Sequence, residues 1–336
     1  MEPVVTAETT PLFHVWTVSE VKAGTLTQCL GVARFIDPEP HVITVRRKVS
    51  WRNPPFSPLR DLASRRPPDI IISCGGKAHS HTILLARLCR KRPLTVHLAK
   101  PLPAYEDRYD LAFISRHDWM AGRHDRPNFH PVVGVPHRID PEEITARRSE
   151  ARARYAVCER PVATLLAGGP NRVYLYDEST IDRLLTAVRA LAGDGWRVLI
   201  CTSRRSPSSL QQTLAALADD RIVVWDCVGE NPFRDYLAAA DALIVTKDSI
   251  TMTCEALATG KPVYSFDLAH GRENAHLEKF ERFHADMSDS LGLTRRFEGS
   301  LAPYAYEPPL ESRRIAAIVQ RIALQTRANG KGEVTR

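Results

Sequence analysis

The sequence predicts an α/β protein with two successive domains, each built around a parallel sheet. Its 336 residues exceed one ordinary domain and suit two domains of about 150 residues each. Short β-branched apolar runs, such as DIIIS at 69–73 and DALIVT at 241–246, alternate with helix-like segments in both halves. Buried parallel strands have this appearance because helices cover both faces of their sheet. A basic helical stretch at 140–155 separates the two series.

In the first half, strand-like runs are separated by helical patterns. Helices are expected at 25–35 and 80–91, and the proline-containing segment 51–60 is expected to be a loop. A further helix opens at Asp140, where Glu143 completes an Asp-x-x-Glu capping box. The strands are predicted at 13–19, 41–47, 69–73, 94–98, 110–114 and 130–135.

The second half repeats this alternation, which is typical of right-handed βαβ units. We therefore predict a Rossmann-like domain at 1–157 and another at 158–305, facing each other across a cleft. A helix at 306–326 is expected to cross back to the first domain, followed by a flexible tail at 327–336. The second-half strands are predicted at 161–168, 196–202, 221–226, 241–246 and 262–267, with helices near 178–192, 207–218, 232–240, 250–259 and 274–285.

The charge is unevenly distributed along the chain. Residues 1–155 hold 24 Lys and Arg against 16 Asp and Glu, whereas residues 156–336 hold 22 against 23. A basic half suggests an anionic partner such as an acidic lipid or glycolipid, although a basic solvated surface explains it equally well. No nucleic-acid-binding motif is present, so nucleic acid is not an expected partner.

The sequence predicts a cytoplasmic protein with peripheral contact to the inner membrane face as a further possibility. No apolar run reaches the ~18 residues needed to span a bilayer, and no secretory signal is recognisable. Seven scattered cysteines without a CxxC pair are expected to be reduced thiols.

Four loops in the second half follow predicted strands and are small, polar or cationic. Ligands of open parallel sheets bind at the carboxyl ends of strands, where helix N-termini offer N–H groups and a positive dipole end to a diphosphate. Each feature alone is often only a tight turn or a helix cap, but their coincidence on one sheet predicts an anionic small-molecule site. The predicted binding residues are Gly168, Gly169, Pro170, Ser203, Arg204, Arg205, Asn231, Thr246, Lys247, Asp248, Ser249, Thr251, Met252 and Glu255.

Two loops of the first half complete the predicted site. Lys22 and Gly24 follow the first strand, and Gly75 and Gly76 follow DIIISC. Glycine is suited to positions where the backbone turns sharply or approaches a ligand. We expect these loops to face the second-half loops across the cleft.

Several other site types are excluded by the motifs. The sequence has no GxGxxG fingerprint, no P-loop and no Asp-x-Asp for a metal–diphosphate clamp. His117, His124, His130 and His137 are spread through a loop without the spacing of a metal site. We therefore expect neither a metal nor a cofactor.

The stretch LAAADALIVTKDSITMTCEALATGKPVYSF at 237–266 resembles the nucleotide-binding segment of GT-B glycosyltransferases. From about 12 to 285 the chain resembles the "elongated mitochondria" family of mitochondrial fission proteins. The matching segments are VWTVSEVKAGTLTQCLGVA (15–33), GGK (75–77), LLAGGPNRVYLYD (165–177), TSRRSP (202–207), ENPFRDYLAAAD (230–241) and VTKDSITMTCEALATGKPVY (245–264).

The family resemblance implies a GT-B-like fold and, for the plant member, recruitment of fission machinery to mitochondria. The GT-B resemblance implies that Ser249 and Thr251 meet a diphosphate, that Glu255 meets the ribose and that Gly169 lines the donor site. The first-strand loop reads EVKAG at 20–24, where relatives often have a Gly-rich loop with an Asp, so an acidic group there is less assured.

The function predicted from these features is metal-independent glycosyl transfer from a nucleotide sugar, with an anionic lipid-linked sugar as a candidate acceptor. The catalytic base would come from the first domain, and Glu20, His79 and Asp118 are all candidates. A nucleotide-sugar epimerase on the same fold is an alternative that would need a pair of acid and base carboxylates. A non-catalytic, membrane-associated fission scaffold is another.

Overall fold

The computed structural model describes residues 12–50, 56–156, 160–203, 205–271 and 275–332. The chain forms two compact units. The first comprises the described residues up to Val132, then Pro136–Arg138, and the described residues from Glu311 onward. The second comprises Val133–Val135 and the described residues between Ile139 and Leu310.

The first unit contains a six-stranded sheet in the order β2-β1-β3-β4-β5-β6, with every strand pair parallel. Strand order reverses between β1 and β3, because β2 lies on one side of β1 and β3 on the other. The strands are β1 (Val15–Glu20), β2 (His41–Val45), β3 (Ile70–Cys74), β4 (Leu94–Leu98), β5 (Leu111–Ser115) and β6 (Phe129–Val132), and the helices are α1 (Ala23–Ala33), α2 (Phe56–Ser64) and α3 (Ala78–Leu88), with short 3₁₀ helices at Pro103–Arg108 and Arg116–Asp118.

Both faces of this sheet are covered, as expected for parallel strands. Ile70 and Ile72 of β3 lie in one core cluster with Val32 of α1, and Ile71 lies in another with Leu85 of α3. All three isoleucines are 0% exposed. Such a strand reads as a continuous apolar run rather than as an alternation, which is why the run at 69–73 could be recognised in the sequence.

The second unit contains a six-stranded sheet in the order β10-β9-β7-β11-β12-β14, again with parallel pairs, and a small antiparallel pair β13-β8. Here the strand order reverses between β7 and β11. The strands are β7 (Val162–Ala167), β8 (Tyr174–Leu175), β9 (Arg197–Thr202), β10 (Ile222–Val224), β11 (Ala242–Thr246), β12 (Val263–Phe266), β13 (Ala269–His270) and β14 (Arg295–Arg296), and the helices are α4 (Pro141–Tyr155), α5 (Glu178–Gly193), α6 (Ser208–Ala215), α7 (Phe233–Ala239), α8 (Ile250–Leu257) and α9 (Ala275–Ala285), which a π-helical turn at Asp286–Ser290 extends.

Helix α4 belongs to the second unit, so the division falls near Ile139 rather than at the predicted 157. Its arginines explain this placement. Arg148 donates to the carbonyls of Ala238 (3.1 Å) and Ala240 (2.7 Å) at the end of α7, where the helix dipole is negative. Arg148 and Arg152 also pair with Asp241, at 2.5 and 2.9 Å. The basic stretch that was predicted as the last helix of the first domain is therefore a helix-capping element of the second unit.

The last helix, α10 (Glu311–Gly332), packs on the first unit through Ile315, Ala316 and Val319. It continues to Gly332, beyond the predicted end at 326, and residues 333–336 lie outside the described chain. Arg327 stabilises the extension, because it donates to Asp69 at 3.0 Å and its guanidinium lies 4.5 Å from the ring centroid of Phe13.

Two further differences from the sequence prediction concern short elements. Residues 56–60 lie in helix α2, so the loop predicted at 51–60 was wrong there, and 51–55 lie outside the described residues. Pro58 is tolerated because it occupies the first helical turn, where its missing N–H has no intrahelical role. Strands β8, β13 and β14 have two residues each and leave no periodic pattern to recognise.

Candidate functional site

The candidate site lies at the carboxyl edge of the second sheet, where β7 and β11 are neighbours and the strand order reverses. Loops after three strands meet there: 168–171 after β7, 203 and 205–207 after β9, and 247–249 after β11. Ligands of doubly wound sheets bind at this reversal point, because the loops on either side diverge and leave the strand ends accessible.

The carboxylate of Asp248 connects these loops. Its Oδ2 accepts the backbone N–H of Gly169 and a guanidinium N–H of Arg205, each at 2.9 Å. Its Oδ1 accepts the hydroxyls of Thr246 at 2.7 Å and Tyr176 at 2.9 Å. The side chain is 0% exposed. The Asp248 carboxylate thus accepts four hydrogen bonds and holds the loops of the site together.

Tyr176 was not among the predicted site residues. Burial, and next the neighbouring Asp248, raise the pKa of its hydroxyl, so the group stays protonated and able to donate. Its oxygen also lies 3.1 Å from Thr246 Oγ1. The sequence signal was weak, because Tyr176 follows a two-residue strand that no pattern predicts.

The two glycines after β7 are required by close packing. A Cβ on Gly168 would overlap the Asp248 carboxylate, and one on Gly169 would overlap the backbone of Arg205. Gly168 N–H donates to Thr246 Oγ1 at 2.8 Å. Pro170, which follows, is exposed, and Asn171 Nδ2 donates to the carbonyl of Asp248 at 3.1 Å. The glycine pair is therefore more than a tight turn.

The loop after β9 supplies a cation. Arg205 donates to the carbonyl of Gly169 at 3.1 Å and to Asp248, yet its side chain is 46% exposed. Ser203 Oγ accepts the N–H of Arg205 at 3.1 Å, which fixes the turn. Ser206, which was not among the predicted site residues, donates its hydroxyl to Gly168 O. Arg204 lies outside the described residues.

Helix α8 begins at this edge. Ser249 is its N-cap, and its hydroxyl accepts the N–H of Met252 at 3.3 Å. Thr251 and Met252 lie in the first turn and are partly exposed, and Glu255 follows in the second turn, also partly exposed. This helix start therefore combines a hydroxyl and first-turn N–H groups at the reversal point.

Lys247 and Asn231 are engaged in other contacts. Lys247 Nζ pairs with Asp267, which also accepts Arg296 Nε at 2.6 Å. Although burial opposes it, the bond from Lys247 holds the pKa of Asp267 below its usual value. Asn231 Oδ1 accepts the N–H of Phe233 at 2.9 Å at the start of α7, after β10. Both side chains thus stabilise neighbouring elements.

In the first unit, the predicted residues lie at the carboxyl ends of β1 and β3. Lys22 pairs with Glu20 at 3.0 Å, and Gly24 lies in the first turn of α1. Gly75 has a φ of +98°, and a Cβ there would lie 2.6 Å from Glu20 Cγ. Gly76 is less constrained, since its nearest neighbour, Leu102 Cδ1, would be 3.7 Å away.

Three candidate bases lie in the first unit. Glu20 accepts the N–H of Lys77 at 2.9 Å, and although burial opposes it, this bond and Lys22 hold its pKa below the usual value. The ring of His79 is engaged on both nitrogens: Leu102 N donates to Nε2 at 3.3 Å, and Nδ1 lies 2.8 Å from the Tyr109 hydroxyl.

Burial, and next Lys48, lower the pKa of His79 to about 4, so its ring is neutral at pH 7. Because Nε2 already accepts an N–H, His79 has no lone pair available as a base. Asp118 lies 3.7 Å from His117 Nε2. Glu20 is thus ionised and is held by Lys22 and by the N–H of Lys77.

Within the described residues, no group of three or more His, Cys, Asp and Glu side chains is placed to hold a metal ion. No helix in the described part of the chain is both long and apolar enough to cross a bilayer.

The two parallel sheets, each with a reversal point, define an α/β protein with a GT-B-like fold, as predicted. The solved UDP-GlcNAc 2-epimerase from Methanocaldococcus jannaschii has a similar fold. The TM-score is 0.56 at 11% sequence identity, and the match covers 92% of this chain and 99% of that one.

The chain belongs to the mitochondrial fission ELM1 family, whose model matches residues 23–322. It is 25% identical over 254 residues to the mitochondrial fission protein ELM1 of Arabidopsis thaliana, covering 69% of this chain and 58% of that protein. It therefore spans less than two thirds of the plant protein's length. An uncharacterized protein of Rickettsia prowazekii is 22% identical over 358 residues, covering 91% of this chain and 98% of that protein. The predicted family is confirmed.

Proposed function

We propose that the second unit binds the diphosphate of a nucleotide sugar and that the protein is a metal-independent glycosyltransferase. The observation that carries this proposal is the meeting of three features at the reversal point between β7 and β11. They are the close-packed Gly168–Gly169 turn, the partly exposed guanidinium of Arg205 and the start of α8. A fold neighbour that is named for its action on UDP-GlcNAc supports the same ligand class.

Each feature has a role in the chemistry. When the bond between the sugar carbon and the diphosphate oxygen breaks, negative charge collects on the leaving diphosphate. The positive end of α8 and the guanidinium of Arg205 stabilise that charge without a metal, and Asp248 holds the guanidinium in place beforehand. Ser249 and Thr251 contact the diphosphate, and Glu255 accepts a ribose hydroxyl.

The acceptor binds the first unit in this proposal. The acceptor oxygen forms the new bond to the sugar carbon, and its proton passes to a base. Glu20 is the base we favour, because it is ionised and lies at the carboxyl end of β1. Its oxygens contact Lys22 and the N–H of Lys77, but each carboxylate oxygen has a second lone pair, whereas neither ring nitrogen of His79 has one to spare. The basic character of residues 1–155 favours an anionic lipid-linked acceptor and peripheral contact with an acidic membrane surface.

A second candidate is nucleotide-sugar epimerisation, favoured by the fold similarity to a UDP-GlcNAc 2-epimerase. The two activities differ in their need for an acceptor. An epimerase inverts a sugar carbon in UDP-GlcNAc alone, whereas a transferase leaves the sugar configuration at that carbon unchanged. Proton NMR of UDP-GlcNAc incubated with the protein distinguishes them.

The experiment that tests nucleotide-sugar binding is a thermal-shift screen against UDP-, GDP-, CMP- and dTDP-sugars. A ligand that binds the native state alone raises the unfolding temperature by mass action. We expect one nucleotide class to raise it and the matching nucleoside to raise it less. If none raises it at millimolar concentration, the scaffold alternative replaces this proposal.

A further inference from the structure

The carboxyl edge of the first sheet carries a cation after each of five neighbouring strands. Arg46 follows β2, Lys22 follows β1, Lys77 follows β3, Lys100 follows β4 and Arg116 follows β5. All five residues are exposed. Because these strands are parallel neighbours spaced about 4.8 Å apart, the positive charges follow one edge about 20 Å long.

Few acidic residues accompany these cations in the sequence. Within three residues of the same five strand ends, the sequence has only Glu20 and Asp118 as carboxylates, and two further basic residues, Arg47 and Lys48, follow β2. Glu20 is already paired with Lys22 and with the N–H of Lys77. The edge therefore keeps a clear positive excess.

Two of these lysines lie at helix N-caps, where a lysine does not favour helix stability. Lys22 is the N-cap of α1 and Lys77 is the N-cap of α3. Ser, Thr, Asp and Asn are preferred at an N-cap, and a positive charge there opposes the helix dipole. Among the described residues, neither helix has a side-chain cap or an acidic first turn, whereas α5 has Asp177.

The two helix starts flank the reversal point of this sheet. The order β2-β1-β3 places it between β1 and β3, which end next to Lys22 and Lys77. Glu20 holds the two loops together there, and Gly75 at φ +98° lets the second loop pack against Glu20. Glu20 is the single carboxylate of the loops 20–24 and 75–77, against the two positive charges of Lys22 and Lys77. The remaining positive charge, which opposes the helix dipoles at a ligand-binding position, is explained if a further anion binds there.

We propose that this edge binds the acceptor through a phosphate group that carries at least two negative charges, as in a sugar phosphate or a lipid phosphate. The inference rests on the proposed function, since it names the acceptor class. A phosphate offers several oxygens to lysine and arginine donors at once, and hydrogen bonds between ionised groups are among the strongest in proteins. A neutral sugar would leave the five cations without a partner from the ligand.

The test compares two pairs of substitutions in the full chain. Lys77→Ala with Lys100→Ala removes two charges from the carboxyl edge. Arg90→Ala with Lys91→Ala is the matched control, because it removes two exposed charges that precede β4, at the opposite edge of the same sheet. The probes are inorganic pyrophosphate, measured by calorimetry in excess UDP so that the proposed site of the second unit is already occupied, and phosphatidylcholine vesicles with or without phosphatidic acid, measured by co-sedimentation.

We expect the carboxyl-edge pair to weaken binding of at least one probe tenfold or more, with less than a twofold effect from the control pair. Loss for pyrophosphate indicates a soluble phosphate ester, and loss for vesicles alone indicates a lipid headgroup. Equal weakening by both pairs, or no saturable binding of either probe by the wild type, overturns the proposal. UDP titrations of the same variants separate the two proposals, because nucleotide binding by the second unit should not depend on Lys77 or Lys100.

Discussion

The backbone N–H of Gly169 donates to Oδ2 of Asp248 at 2.9 Å and joins two loops that are 79 residues apart in sequence. The same oxygen accepts Arg205, so the loops after β7, β9 and β11 share one carboxylate. Since that carboxylate is fully buried, its charge is balanced by its four donors rather than by water. The geometry of the candidate nucleotide site therefore depends on a residue that need not touch the ligand.

Asp248→Asn is expected to lower both stability and nucleotide affinity. An amide nitrogen cannot accept, so at least one donor would lose its partner in a buried position. The free energy of unfolding should fall by about 1.5–3 kcal/mol, as for other hydrogen bonds to charged groups. Urea denaturation measures this loss. Asp182→Asn, on the exposed face of α5, is the control and should change stability by less than about 0.5 kcal/mol. Equal stability of the two variants would contradict the role given to Asp248.

Gly169→Ala is expected to displace the loop after β7. The new Cβ would overlap the backbone of Arg205, which cannot move aside as a flexible side chain could. We expect nucleotide affinity, measured by calorimetry with UDP and GDP, to fall at least tenfold. Gly193→Ala is the matched control, since a Cβ at the end of α5 would meet no atom within 4 Å. Unchanged nucleotide affinity in Gly169→Ala would show that Gly169 is needed for the local turn and does not contribute to nucleotide binding.

Arg205→Ala tests the cation of the candidate site. Loss of a charge-assisted contact worth roughly 1.5–3 kcal/mol corresponds to a ten- to hundredfold loss of UDP or GDP affinity. The substitution also removes a donor from buried Asp248, so stability should fall as well. Arg189→Ala, at an exposed position of α5, controls for net charge. A stability loss with full nucleotide affinity would make Arg205 a structural residue only.

Glu255→Gln is expected to separate ligand binding from folding. Glu255 lies partly exposed in the second turn of α8, where we propose that it accepts a ribose hydroxyl. Affinity for UDP or GDP should fall about tenfold, while affinity for inorganic pyrophosphate, which lacks a ribose, should not change. If the unfolding midpoint of the ligand-free variant falls sharply instead, Glu255 is a structural residue of α8.

The sequence predicted where the loops of the site lie but not what their side chains contact. Strands β7 and β11 are continuous apolar runs, so their ends, and the residues that follow them, could be identified from periodicity. Asp248 and Arg205 were expected to meet a ligand, yet much of their bonding capacity is directed to each other and to Gly169. These contacts join residues that are 36–79 positions apart in the sequence. The periodicity of a single segment does not indicate such distant partners.

A similar limit applied to the division between the units. The basic helix α4 was assigned to the first domain because it precedes the second strand series in the sequence. Its arginines bind carbonyls at the end of α7, about 90 residues later, which periodicity does not indicate. The family resemblance, in contrast, depended on contiguous motifs and could be recognised directly.

The buried ring of His79 gives the first unit a defined response to acid. Its pKa is about 4 in the fold because burial, and next Lys48, disfavour the charged ring, whereas an unfolded histidine has a pKa near 6.5. Between these values the unfolded chain binds a proton that the native chain does not, so stability falls as the pH falls from about 6.5 to about 4. The contribution of this residue to the slope of stability against pH is at most about 1.4 kcal/mol per pH unit.

His79→Phe keeps a ring against Tyr105, whose centroid lies 4.7 Å from that of His79, but removes the titrating group. The variant should be less stable than the wild type at pH 7, because the bonds to Tyr109 and Leu102 are lost, and the difference should shrink toward pH 4.5. Urea denaturation at pH 7, 6, 5 and 4.5 measures both curves, and His270→Phe, at an exposed position, controls for the loss of a histidine. Parallel curves for the wild type and His79→Phe would show that His79 does not set the acid response.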